Sequence, residues 1–323
     1  MGFDVLVTGG GGYIGTSLVA KLVAEGRAPL VTDKSASRSL KDLASSGQIR
    51  LLECDLSAPD SLLDECKDVT SLVHLAARLD ATDDVVEHGA DAVTHNLLSL
   101  INVLARTPKL RHVCLVSSIG VYADPPLYAP IDEKHPTAPI NTYGVTKLAA
   151  EHYARLYGEK TGVAVTILRL CGVYGPGHYN PVLLPKRAVQ SFIRRVADGQ
   201  PPVIHGDGSE RRDHVYIDDV VQAIGLALER RVTGVFNIAT GKGVSMLELA
   251  QTVIELFGAP LSPVFSDAKP GATSRDYTLS ISRAARELGY TPNVSLKEGL
   301  AREIEWFLKE RATWQAAPQP AAS

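Results

Sequence analysis

The chain has 323 residues, 45% of them apolar, and its 33 basic and 36 acidic residues leave a formal net charge of −3. That length and apolar content suit a large core, built as one large domain and a smaller one. A near-neutral balance without a basic tract argues against nucleic acid as a partner, and no apolar run approaches the ~20 residues of a membrane helix.

In chain order, apolar or β-branched runs at 5–8, 29–32, 49–53, 71–75, 112–117 and 164–169 predict strands, and segments 14–25, 61–67, 84–107 and 143–161 predict helices. A run such as Ser71-Leu72-Val73-His74-Leu75 suits a strand covered on both faces, and the β-α alternation implies a parallel sheet. Right-handed crossovers then give a Rossmann-type α/β fold, a doubly wound parallel sheet with ligands at the carboxyl ends of its strands. Beyond residue 175 prolines break the alternation; helices are predicted at 186–198, 218–229 and 246–257, and a strand at 215–217. The expected organisation is a dinucleotide-binding domain over 1–175 and a smaller C-terminal α+β substrate lobe over 176–314, some segments of which return to the main domain. Residues 315–323, rich in Ala, Pro and Gln, read as a disordered tail. Cys54, Cys66, Cys114 and Cys171 lack metal-ligand spacing and are few for a secreted framework. No metal is therefore expected. With glycines where a signal peptide would be apolar, the expected location is cytoplasmic.

The first predicted strand runs into Thr8-Gly9-x-x-Gly12-x-x-Gly15 and then a helix opened by Tyr13 and Ile14. In that order Gly9 permits a tight turn, Gly12 lets the backbone approach a pyrophosphate, and Gly15 lets helix pack on sheet. Asp33 ends the second strand, 18 residues past Gly15, where a carboxylate binds adenosine ribose hydroxyls and repels a 2′-phosphate. This favours NAD over NADP, although Lys34 and Arg38 are placed to reach a phosphate. Asp55 reads equally as an adenine contact and as a turn or cap residue.

Tyr143 and Lys147 lie one helical turn apart on one face, with Ser117-Ser118 ending the preceding strand. A phenol with an ordinary pKa of about 10 becomes a useful base only beside a positive charge. A serine hydroxyl next to it can hold the reacting oxygen. Val145, Leu148, Ala149, His152 and Leu156 form an apolar stripe on the other side of the same helix. That stripe is open to either a partner or the sheet.

These motifs, with His74-Leu75-Ala76-Ala77, Ser117-Ser118-Ile119-Gly120-Val121-Tyr122, Val173-Tyr174-Gly175-Pro176-Gly177 and Arg212-Asp213-His214-Val215-Tyr216-Ile217-Asp218-Asp219-Val220, resemble the extended short-chain dehydrogenase/reductases. Within them the chain is similar to the nucleotide-sugar epimerase/dehydratase group. The resemblance implies Tyr143 as base, Lys147 as its activator and a nicotinamide-ribose ligand, and Ser118 as holder of the reacting oxygen. It implies cofactor contacts from Tyr13, Ile14, Leu56, Leu75, Ala76 and Ala77, and an ordering role for Asn96. Arg212 would bind the substrate diphosphate, with the alternative of a solvated Arg211-Arg212 pair. His205 would stack on the nucleotide base, or be a surface histidine. Lys269 stands where the family has a phosphate-binding arginine, with Arg275 as its substitute, and Gly172 stands where the epimerases carry a substrate-contacting asparagine.

Dehydratases of the group carry an acidic pair at the positions of Ile119 and Gly120, which cannot move protons. The expectation is therefore an NAD-dependent nucleotide-sugar 4-epimerase on a UDP-linked sugar, and the resemblance implies a homodimer formed through the helices at 84–107 and 143–161. The alternatives are a reductase or dehydrogenase of a keto sugar or small alcohol, and a non-catalytic dinucleotide-binding regulator.

Overall fold

The computed structural model describes residues 3–58, 64–79, 85–177, 187–266 and 275–316. The elements in order are β1 (Val5–Thr8), α1 (Tyr13–Ala24), β2 (Leu30–Asp33), α2 (Arg38–Ser45), β3 (Arg50–Glu53), β4 (Ser71–His74), α3 (Val85–Val93), α4 (Ser99–Arg106), β5 (His112–Ser118), α5 (Thr142–Thr161), β6 (Ala164–Leu170) and β7 (Gly172–Tyr174). Then come α6 (Ala188–Ala197), β8 (Val203–His205), β9 (Arg211–Arg212), β10 (His214–Tyr216), α7 (Ile217–Arg230), β11 (Gly234–Ile238), β12 (Val244–Ser245), α8 (Met246–Phe257), β13 (Val264–Ser266), β14 (Asp276–Tyr277) and α9 (Leu296–Ala316).

Seven parallel strands form the main sheet in the order β11-β6-β5-β4-β1-β2-β3. Alternate side chains of each strand enter opposite cores, as the strand period requires. Val5 and Val7 pack with Leu18 and Leu22 of α1 and Ile224 of α7. Leu6 and Leu72 pack on the other face with Leu100 and Val103 of α4 and Ala150 and Ala154 of α5. Helices on both faces make the sheet doubly wound. Among the described residues no helix is long and apolar enough to cross a membrane.

Past residue 175 the chain is less separate than a two-part division suggests. After α6 and β8–β10 it returns to the main body, where α7 covers the sheet beside α1 and β11 extends the edge at β6 in register Gly234↔Thr166 to Ile238↔Leu170. Short sheets built from β7 with β10, β8 with β13, and β9 with β12 and β14 make the second lobe.

Three expectations are adjusted. The predicted helix at 84–107 is two α-helices joined by a π-helical turn, Thr94–Leu98, and residue 84 lies outside the described residues. Of the helix predicted at 61–67, residues 61–63 also lie outside them, and Asp64–Asp68 is a 3-10 turn. Gln315 and Ala316, read as tail, continue α9, while 317–323 are outside the described residues.

The stripe on α5 faces outward. Its buried face is Gly144, Thr146, Lys147, Ala150, Glu151 and Ala154, whereas Val145 and Leu156 are about half exposed. The small residues face the sheet because the helix packs close to it, and Glu151 is tolerated there because Arg169 of β6 meets it with two hydrogen bonds of 2.9 and 2.6 Å.

Candidate active site

β1 hands the chain to α1 through a turn without side chains. Gly9 adopts φ +70°, and a Cβ on it would lie 2.6 Å from the Ala76 nitrogen. A Cβ on Gly15 would lie 2.2 Å from the Gly9 carbonyl oxygen, so α1 can rest on the turn only with glycine there. Gly12 caps α1 in extended conformation with no side-chain hydrogen bond, which leaves the first-turn N–H groups to an anion. Asp33, at the end of β2, accepts from the Gly11 N–H at 2.8 Å and the Ser35 N–H at 3.2 Å. A bare turn, an uncapped helix start and an adjacent carboxylate fit a dinucleotide with an unphosphorylated ribose.

β5 delivers Ser118 to the same end of the sheet. A Cβ on Gly144 would fall 2.2 Å from the Gly120 carbonyl oxygen, so the start of α5 lies directly against the turn after β5. Asn141 caps that helix, accepting from the Gly144 N–H at 2.8 Å. This close approach is what brings Tyr143 to Ser118. Lys147, buried one turn on, donates to the Val116 carbonyl at 2.8 Å and lies 5.8 Å from the Tyr143 ring centroid.

Burial pushes the Tyr143 phenol up to about 12, against the Arg187 guanidinium and the Ser118 hydroxyl, which favour the phenolate. Burial pulls the Lys147 ammonium down to about 8 while Glu151 supports its charge, so at pH 7 it is still mostly protonated. The expected activation of Tyr143 by Lys147 is thus less local than the motif implies. In the chain by itself the opposing pull on the phenol comes from Arg187 and Ser118.

Asn96 sits on the π-helical turn, a form of helix often found at functional sites. Its Oδ1 accepts from the Arg78 N–H at 2.6 Å and its Nδ2 donates to the Thr146 hydroxyl at 3.0 Å. It therefore ties the segment after β4 to α5.

A cleft of about 530 Å³ joins these parts. The glycine turn with Tyr13 and Ile14, Leu75 and Ala77, Ser118, Tyr143, Lys147 and Arg212 line it, as do Gly172, Gln190 and His214 from the second half of the chain. Other expected contacts lie elsewhere. Ala76 packs under Gly9. Asp55 is ion-paired with Lys34 at 2.9 Å and Leu56 is in the core. His205 is exposed and bonded to Ser266 at 2.7 Å. Arg275 lies 3.5 Å from Asp124, while Arg212, which does line the cleft, stacks on Tyr277 at 5.6 Å and donates to Glu210 at 2.6 Å. Lys269 lies outside the described residues.

Sequence reasoning missed Arg187, at the start of α6, and Glu303, on α9. Glu303 is buried, accepting from the Gly175 N–H at 3.1 Å and the Gln190 side chain at 2.9 Å. The Gly175 carbonyl in turn accepts from the Tyr13 hydroxyl at 2.7 Å, so α9 braces the cleft wall. No motif marks either residue.

A doubly wound sheet with a dinucleotide turn and a Ser-Tyr-Lys set defines a short-chain dehydrogenase/reductase. More narrowly, the chain belongs to the NAD dependent epimerase/dehydratase family, whose model matches residues 5–239. It is an enzyme of that family, and NAD is its cofactor. It is 33% identical to the UDP-glucose 4-epimerase of Mycolicibacterium smegmatis over 94% of this chain and 97% of that one. It is 29% identical to the dTDP-glucose 4,6-dehydratase of an Actinoplanes species over 96% and 99%. The crystal structure of the Thermotoga maritima UDP-glucose 4-epimerase with UDP-glucose superposes with a TM-score of 0.81 at 30% identity, covering 95% of this chain and 99% of that one.

Proposed function

We propose that the protein is an NAD-dependent 4-epimerase of a UDP-linked sugar. The observation that carries this reading is the fate of the acidic groups at the cleft. Its two described acidic lining residues, Asp124 and Asp213, are both engaged. Asp213 accepts from Thr240, Gly241 and Leu279, and Asp124 accepts from the Tyr277 hydroxyl at 2.6 Å. At the turn after Ser118 stand Ile119 and Gly120. Among the described residues this leaves the Ser118-Tyr143-Lys147 set without a free carboxylate to eliminate water, so redox at one carbon is the chemistry supported.

The glycine turn, Asp33 and Lys147 would hold NAD, which when bound supplies a reversible hydride acceptor and a positive ring. Tyr143 takes the proton of the sugar's C4 hydroxyl and later returns it. Ser118 holds the oxygen through both steps, and Lys147 keeps positive charge behind the phenolate. Between the steps the 4-keto sugar turns within the cleft and presents its other face. Arg212, which lines the cleft, would bind the diphosphate. The outward stripe of α5, with Val93 47% and Leu98 38% exposed on the neighbouring helices, suits a homodimer.

A 4-deuterated UDP-hexose tests the reading. Epimerisation is redox-neutral, so product should retain the label without stoichiometric reduction of free cofactor. Label appearing in released cofactor, one equivalent per product, would establish a net dehydrogenase instead.

A further inference from the structure

The cleft contains a polar side chain that the proposed mechanism leaves unused. His214 of β10 lines it and is 8% exposed. Its Nε2 is buried without a hydrogen-bond partner among the described residues, which leaves Nδ1 as the nitrogen to meet a ligand. A buried polar atom without a partner costs stability. This one is not compensated by the adjacent Tyr174 ring, which stands edge-on at 6.4 Å.

The residue facing Nδ1 is glycine, so no side chain covers that nitrogen from β7. Gly172 pairs with His214 in register, and a Cβ on it would lie 3.0 Å from His214 Nδ1 and 3.2 Å from the Asp213 carbonyl oxygen. Any side chain at 172 would crowd Nδ1. The β5–β6 register sets Ser118 opposite Leu170, so Gly172 lies two residues beyond the level of the reacting serine. That is the end of the cleft where the sugar, rather than the nucleotide base, must lie for Tyr143 to reach it.

We propose that His214, in the space left by Gly172, is a specificity-determining residue that hydrogen-bonds a hydroxyl of the sugar. This rests on the 4-epimerase reading above. Burial and the Arg212 charge hold the imidazole down at about 4, so it is neutral across physiological pH. With Nε2 buried, Nδ1 either donates to or accepts from a hydroxyl according to the tautomer, and the neutral ring offers no charge to a carboxylate.

The test is calorimetric binding of UDP-glucose and its 2-, 3- and 6-deoxy analogues, with NAD present, to the wild type, His214→Phe and Gly172→Ala. One deoxy analogue should bind the wild type about tenfold more weakly than UDP-glucose and bind His214→Phe with no such difference, since only the pair is lost. Gly172→Ala, which crowds Nδ1, should erase the same discrimination and keeps the test available should His214→Phe not fold. Identical analogue ratios in all three proteins would overturn the assignment while leaving the epimerase reading intact. A wild type that binds none of these UDP-sugars would overturn both.

Discussion

Replacing Glu303 with Gln should stabilise the protein at pH 8 and do much less at pH 5. Burial raises this carboxyl from its ordinary 4.5 to about 7, opposed by hydrogen bonds from Gln190 and Gly175 and by the Arg187 charge. Because the folded pKa lies above the unfolded one, the folded state holds the extra proton between those values. Its stabilising contribution is complete below pH 4.5 and is lost as pH rises through 7. Each pH unit of that interval is worth about 1.4 kcal/mol, so the wild type should lose roughly 3 kcal/mol that a glutamine does not. In a chain of this size that is about 5 °C in melting temperature. The amide itself has a fixed cost, because its NH₂ replaces one of the two accepting oxygens and faces one of the donors, Gly175 or Gln190, but that cost does not vary with pH. Thermal melts of both proteins at pH 5 and 8 isolate the titration. An equal difference in melting temperature at the two pH values would refute the buried, titrating Glu303.

Tyr143→Phe should lower turnover by two to four orders of magnitude with NAD affinity largely kept, since it removes a proton acceptor and little volume; steady-state rates within a few-fold of wild type would remove Tyr143 as the base. Wild type should bind NAD at least tenfold more tightly than NADP by fluorescence titration, a difference of about 1.4 kcal/mol. Asp33→Ala should narrow that gap and weaken both cofactors, because Asp33 also holds the Gly11 and Ser35 N–H groups. Equal wild-type affinities would show that Lys34 or Arg38 governs the site.

The six strands anticipated in the first two-thirds of the chain are all present, because most of them are buried on both faces and so must be continuous apolar runs. β11 went unseen. It starts at Gly234, is only five residues long, and carries the buried polar Asn237, so no continuous apolar run marks it. The turn glycines, Ser118, Tyr143 and Lys147 were legible because each belongs to a short local pattern whose geometry follows from one strand or one helix. Glu303, Arg187 and His214 were not, because their meaning depends on elements from distant parts of the sequence meeting at one wall. The stripe on α5 was a fair reading of polarity, but the buried side carries small residues and the Glu151–Arg169 pair, which hydropathy treats as surface.

The return of the chain through α7 to β11 has a consequence for any attempt to cut this enzyme into modules. A fragment ending near residue 177 would contain the glycine turn and the Ser-Tyr-Lys set, yet it would expose β6 as a bare rim of unpaired amides and carbonyls along the whole Thr166–Leu170 ladder. It would also strip the α7 cover from Val5 and Val7. Such a fragment is an aggregation template rather than a cofactor-binding unit. Swapping substrate lobes between relatives therefore requires leaving α7 and β11 with the recipient sheet and grafting the intervening and following segments separately.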